Sequence, residues 1–155
     1  YKKFKKLVQD ICQQIETSGW HPDYVVGITR GGLMPALYIS HYFNVKMHTL
    51  TVSLRDHQDS ETNCWMAEDA FAKKNILIVD DINDSGATFA WIKNDWQGSC
   101  CPNSDDWKYV WCNNVRFAVL IDNEVSESTV NYSGLDINKS ASPEWRVFPW
   151  EEWWR

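Results

Sequence analysis

Between Ile76 and Thr88 the chain reads Ile-Leu-Ile-Val-Asp-Asp-Ile-Asn-Asp-Ser-Gly-Ala-Thr. Its first four residues are apolar without alternation, so a strand here has no polar face to offer water and must be covered on both sides. Two adjacent carboxylates follow, then a turn of small residues. Phe89, Ile92 and Trp96 come next at helical spacing and predict a helix over residues 86–96. A strand buried on both faces and continued by a helix belongs to an α/β architecture with a mainly parallel sheet flanked by helices. Sites in such sheets gather at the C-terminal ends of the strands, which is where the carboxylates and the turn would lie.

The rest of the chain repeats the pattern. Phe4, Leu7, Val8, Ile11 and Ile15 mark one face of a first helix that Gly19 stops. Residues 24–29 form a continuous apolar strand that Gly31 and Gly32 break. Residues 33–43 return to helix, with Pro35 early enough in the first turn to be tolerated. Residues 47–54, rich in Thr and Val, are a second strand, and residues 115–122 a fourth after the one at 76–81. The polar stretch 55–74 shows no clear strand, and a connection of that length suggests an active-site lid. Periodicity weakens from Glu124 onward, so residues 124–155 are read as a small C-terminal hood on a single domain covering residues 1–155.

Composition narrows the function. A net charge of −6 without a basic cluster argues against a nucleic-acid surface. No apolar run approaches the roughly 20 residues of a membrane span. The basic start at Lys2, Lys3, Lys5 and Lys6 runs into Gln9, Asp10, Gln13 and Gln14 instead of a secretory apolar core, which leads us to expect a cytoplasmic protein. Five cysteines without a C-x-x-C pair suit free thiols in a reducing compartment better than a zinc site.

The chemistry of residues 80–88 follows from residue type. Successive amides in a turn that opens a helix converge on an anion, the helix start adds partial positive charge, and Ser85 and Thr88 supply hydroxyl donors. Three or four hydrogen bonds to a charged group, each about 1.5–3 kcal/mol, are enough for roughly micromolar binding of a phosphate monoester before ordering costs. Asp80 and Asp81 repel that same phosphate. They suit ribose hydroxyls and a hydrated Mg²⁺, so a sugar phosphate with a metal satisfies both halves. A second strand-to-helix turn, Thr29-Arg30-Gly31-Gly32, again places amides at a helix start, beside a guanidinium suited to bidentate phosphate contact.

The string from Ile76 to Thr88 resembles the phosphoribosyl pyrophosphate (PRPP) motif of the type I phosphoribosyltransferases at every defining position. The resemblance implies that fold, and roles for Asp80 and Asp81 at the ribose hydroxyls and the metal shell. It places the 5′-phosphate on the loop formed by Asp84, Ser85, Gly86, Ala87 and Thr88, and makes Asp84 the general base beside N7 of a purine. Thr29, Arg30, Gly31 and Gly32 resemble the family's diphosphate loop, whose non-proline peptide is often cis.

The subgroup resembled is that of the bacterial xanthine-guanine and archaeal hypoxanthine enzymes, which act in 6-oxopurine salvage. There the catalytic loop begins near Arg55, which could reach the diphosphate. The segment Glu144-Trp145-Arg146-Val147-Phe148-Pro149-Trp150-Glu151 is similar to their hood: Trp145 would stack on the base, and the backbone of Arg146 and Val147 would read its edges. Trp153 and Trp154 are read as closing the core or a subunit interface, in line with a homo-oligomer, dimer or tetramer. One position departs: those enzymes carry a Lys after the fourth strand that donates to the 6-oxo group, and here Asn123 stands in its place. The expected activity is phosphoribosyl transfer from PRPP to hypoxanthine, guanine or xanthine with release of diphosphate. The alternatives are transfer to another nucleobase and a non-catalytic PRPP sensor.

Overall fold

The computed structural model describes residues 2–52, 63–100, 104–138, 148–151 and 153–154. Five strands form one fully parallel sheet in the order β2-β1-β3-β4-β5. They are β1 (Tyr24–Thr29), β2 (Lys46–Thr51), β3 (Ile76–Asn83), β4 (Val115–Asn123) and β5 (Tyr132–Ile137). The helices are α1 (Lys2–Ser18), α2 (Leu33–Phe43), α3 (Cys64–Phe71) and α4 (Ala87–Asp95). A π-helical turn, Trp96–Cys100, and a 3₁₀ turn, Asp105–Tyr109, follow α4.

The central strands bury both faces, as their composition demands. Val25, Leu77, Val79, Ala118 and Leu120 meet α1 and α2 on one side. Val26, Ile78, Phe117 and Val119 meet α3, α4 and the tryptophans Trp96 and Trp107 on the other. Alternation along each strand divides the side chains between the two layers. α1 uses the stripe read from sequence, burying Phe4, Leu7, Val8, Ile11, Cys12 and Ile15, and it ends where Gly19 takes a φ of 75°.

Three features depart from the sequence reading. The stretch 55–74 is not all connection: its second half is α3, whose Met66, Ala67 and Ala70 are fully buried, so that half is core and not lid. β3 continues through Asn83, pairing Ile82 with Ile121 and Asn83 with Asp122, which puts the acidic pair inside the strand instead of at its end. The segment read as hood begins with a further core strand, β5, whose burial is incomplete because it sits at the sheet edge. β5 starts opposite Ala118, half-way along β4, so it flanks only the upper half of that strand. A link of eight residues therefore suffices to reach it, where a full parallel return needs a dozen or more.

The order 2-1-3-4-5 reverses direction between β1 and β3. From β1 the chain leaves through α2 on one face, and from β3 through α4 on the other. The two turns part there and leave a crevice at the strands' C-terminal ends, the usual ligand position in such sheets.

Candidate active site

Both loops singled out in the sequence open on that crevice. After β1, the Thr29–Arg30 peptide is cis, as in the diphosphate loop it resembles. Thr29 Oγ1 donates to Thr51 Oγ1 at 2.9 Å, tying the loop to β2. Gly32 N donates to Ile28 O at 2.8 Å, and Gly32 O accepts from Ala36 N as α2 begins. A β-carbon on Gly32 would overlap Val79 O and meet the Ile28 backbone at 2.9 Å, so the loop closes against β3 with no room for a side chain. Arg30 is exposed, and among the described residues no carboxylate lies within ion-pair distance of it, leaving its charge available to an anion.

The acidic pair faces this loop. By alternation from Ile78 and Val79, Asp80 points to the α4 side and Asp81 to the α2 side. A β-carbon on Gly31 would overlap the Asp81 carboxylate, so the two segments touch across the switch point. Each carboxylate also accepts a following amide: Asp81 N donates to Asp80 Oδ1 at 2.8 Å and Ile82 N to Asp81 Oδ1 at 2.7 Å. Asp80 is buried. Its desolvation, with the Asp81 charge beside it, holds its carboxyl well above the usual carboxylate range.

Residues 84–86 turn into α4, where Gly86 takes a φ of 89° that only glycine adopts freely. Their carbonyls point away from the crevice. Asp84 O accepts from Asn123 Nδ2 at 2.9 Å, Ser85 O from Glu127 N at 2.9 Å, and Gly86 O from Ser128 Oγ at 2.7 Å. In a trans peptide the carbonyl and the next N–H are antiparallel. Fixing three successive carbonyls on the β4–β5 turn therefore aims the amides of Ser85, Gly86 and Ala87 the other way. There they face a cavity of about 240 Å³ lined by residues 80–89, with Ala87 N donating to Ser85 Oγ of that lining at 3.3 Å. Ser85 is exposed and Thr88 half-buried at its rim, so both hydroxyls can join the amides. The result is a concavity at a helix start, beside two carboxylates, whose donors could hold an anion.

Of the residues that shape this concavity from behind, the sequence drew attention to Asn123 alone, and for a different role. Asn83 Nδ2 lies within hydrogen-bond distance of Asp122 Oδ1, Ser126 Oγ and Ser128 O, at 2.9, 2.7 and 2.8 Å. Asn123, read as a donor to the base, is buried and gives one amide hydrogen to Asp84 O. Arg55, Trp145, Arg146 and Val147 lie outside the described residues. Beyond them, Phe148 stacks on Trp150, which packs edge-on against Phe4 of α1. Trp153 and Trp154 are 79% and 65% exposed, so they do not close the core.

A phosphoribosyl transferase domain model matches residues 1–154. The chain belongs to the phosphoribosyltransferase family. A curated relative, the xanthine-guanine phosphoribosyltransferase of Cereibacter sphaeroides, is 36% identical over 74 residues, 44% of each chain, so the match spans less than half of that protein. Two solved structures share the fold of this phosphoribosyltransferase-family chain. The purine phosphoribosyltransferase of Pyrococcus horikoshii superposes with a TM-score of 0.67 at 19% identity, over 98% of this chain and 91% of the other. The xanthine-guanine-hypoxanthine phosphoribosyltransferase of Helicobacter pylori gives 0.65 at 20% identity, over 98% and 90%.

Proposed function

We propose that the chain transfers the 5-phosphoribosyl group of PRPP to a ring nitrogen of a 6-oxopurine, hypoxanthine, guanine or xanthine, releasing diphosphate. One observation carries the reading: three pinned carbonyls turn the Ser85, Gly86 and Ala87 amides toward a cavity that also holds Asp80 and Asp81. That arrangement suits a ribose 5-phosphate, with the phosphate on the amides and the ribose hydroxyls on the carboxylates. The choice of a 6-oxopurine draws support from the named relatives.

In the reaction the bond from C1′ to the diphosphate oxygen breaks and a bond from C1′ to the base nitrogen forms. Arg30 and the amides of the loop from Thr29 to Gly32 hold the departing diphosphate. Asp84, at the mouth of the phosphate loop, takes the proton that the base gives up at N7. Asn123 holds the Asp84 carbonyl and so keeps that residue beside the base. The hood residues Trp145, Arg146 and Val147 would stack on the purine and read its edges, and Arg55 would add a second cation at the diphosphate.

A Mg²⁺ ion fits this site as a companion of the substrate. Among the described residues no three His, Cys, Asp or Glu side chains come together to cage a metal, and Asp80 resists ionisation. Asp80 and Asp81 would hold the ion through water and through substrate oxygens, and bound there it would neutralise charge on the leaving diphosphate. The exposed Trp153 and Trp154 support a homo-oligomer in which they are covered.

Turnover of PRPP with hypoxanthine, guanine, xanthine, adenine, orotate and uracil tests the assignment. Nucleotide formation with one or more of the first three is expected. Use of orotate or uracil alone would overturn the purine reading, and failure with all six would overturn the enzyme reading.

A further inference from the structure

The β4–β5 turn makes a second layer behind the phosphate loop, and nothing in the motif itself requires it. Asn83, at the end of β3, reaches across to Ser126 and Ser128 of the turn. Asn123, at the end of β4, reaches back to Asp84. The two buried asparagines thus exchange hydrogen bonds in opposite directions between the same two loops, whose parent strands are paired at Asn83 and Asp122. Ser128 lies at the centre. Its hydroxyl donates to Gly86 O at 2.7 Å, its carbonyl accepts from Asn83 and from Ser126 Oγ, and its amide sits 2.5 Å from the point where a Gly86 side chain would begin.

Resting on the phosphoribosyl-transfer reading above, we propose that Ser128 is a positioning residue for the 5′-phosphate: it touches no ligand, but by fixing the Gly86 carbonyl it orients the Ala87 amide, which donates to Ser85 Oγ at 3.3 Å on the cavity side, toward the phosphate. Three geometric facts carry this. The bond is short and buried. It falls on the peptide that links the turn to α4, where Gly86 O also accepts from Ala90 N at 3.1 Å. Ser128 lies on the far side of the loop from the cavity, whose walls are residues 80–89. Without the hydroxyl, Gly86 O keeps its helical partner, so α4 stays formed while the peptide gains freedom to tilt. The consequence is confined to ligands that carry the 5′-phosphate. Diphosphate, held by the loop at Arg30, should not sense the change.

Isothermal titration of the full chain with ribose 5-phosphate, and separately with Mg²⁺-diphosphate, distinguishes this role from general support of the fold. Ser128→Ala is expected to weaken ribose 5-phosphate binding about 2- to 13-fold, the loss of one neutral hydrogen bond, and to leave diphosphate binding unchanged. Ser128→Cys, which fills nearly the same space with a weaker donor, should move the same way. Under turnover both should raise the KM for PRPP more than they lower kcat. Wild-type affinity for ribose 5-phosphate in either folded variant overturns the proposal while leaving the transfer reading intact, as does an equal loss for both ligands. Failure of both variants to fold also overturns it, since Ser128 would then be a core residue. A wild-type chain that binds neither ribose 5-phosphate nor PRPP overturns the transfer reading, and this proposal with it.

Discussion

Gly31 and Gly32 are neighbours, yet adding one methyl to each should fail in opposite ways. At Gly31 the three atoms nearest the new β-carbon all belong to the Asp81 carboxylate, the far end of a side chain that can rotate. Moving Asp81 off its rotamer costs about 0.5–1.5 kcal/mol, and alanine recovers about 0.4–1 kcal/mol by restricting the unfolded chain. Gly31→Ala should therefore melt within a few degrees of the parent. Its activity should suffer, because the ribose contact proposed for Asp81 would be displaced. A hydrogen bond to a charged group is worth about 1.5–3 kcal/mol, so kcat/KM for PRPP should fall about 10- to 150-fold. At Gly32 the methyl would overlap Val79 O and meet Ile28 N and O, all backbone of the two central strands. Overpacking there costs about 1–3 kcal/mol, and at roughly 2–4 °C per kcal/mol for a chain of this size Tm should drop by about 2–12 °C. Thermal unfolding and PRPP-dependent turnover measured on both variants give the answer. A Gly31→Ala enzyme with parental kcat/KM, or a Gly32→Ala protein with parental Tm, would refute the geometry of this loop.

The other predictions concern charge and the base. Asp80→Asn should raise Tm near neutral pH while abolishing transfer. The wild-type carboxyl, with its folded pKa raised by burial and by Asp81, contributes stability that is full below about pH 3.9 and is lost as pH rises through the folded value, so the mutant's advantage should vanish in acid; a lower Tm at both pH 7.5 and pH 4 would contradict the burial argument. Transfer should stop in excess EDTA and return with Mg²⁺, measured by diphosphate release; undiminished release would remove the metal from the site. Asn123→Ala should raise KM for PRPP as well as for the purine, because it frees the Asp84 carbonyl, and steady-state kinetics with both substrates varied would show whether only the purine constant moves.

Much of the architecture could be read from the chain because its strands are buried on both faces. An unbroken run such as Ile76 to Val79 has one physical solution, a covered central strand, and it has no exposed face in the structure. The first-helix stripe was equally plain. What escaped was whatever depends on partial burial. β5 lies at an edge, interrupted by Gly134 and mixed in polarity, so no periodicity announces it. α3 is short and carries the exposed Glu68 beside Asp69, which accepts from the Tyr24 hydroxyl at 2.9 Å, and this pair of acids made it look like part of a polar connection.

The candidate site was legible to the same degree and for a related reason. A motif names donors: Ser85, Gly86, Ala87 and Thr88 stand together in the chain, and their chemistry follows from residue type. It does not say which way the donors point. That direction is set by what holds the carbonyls on the other side of each peptide, and here the holders are Asn123, Glu127 and Ser128, about 40 residues further along the chain. None of the three carries chemistry that would draw notice by itself. Asn123 attracted attention only because a lysine was expected in its place, and one of its amide hydrogens goes to the Asp84 carbonyl. The same logic applies to the acidic pair. Asp80 and Asp81 look equivalent in sequence, but alternation along β3 separates them: Asp80 goes into the protein, where its charge is disfavoured, and Asp81 goes onto Gly31, facing the loop after β1. Two identical residues thereby stand in different surroundings, one buried and one against the loop after β1, so single substitutions should differ. Asp81→Asn, at a half-buried position, should change ligand affinity with little change in Tm, whereas Asp80→Asn changes both.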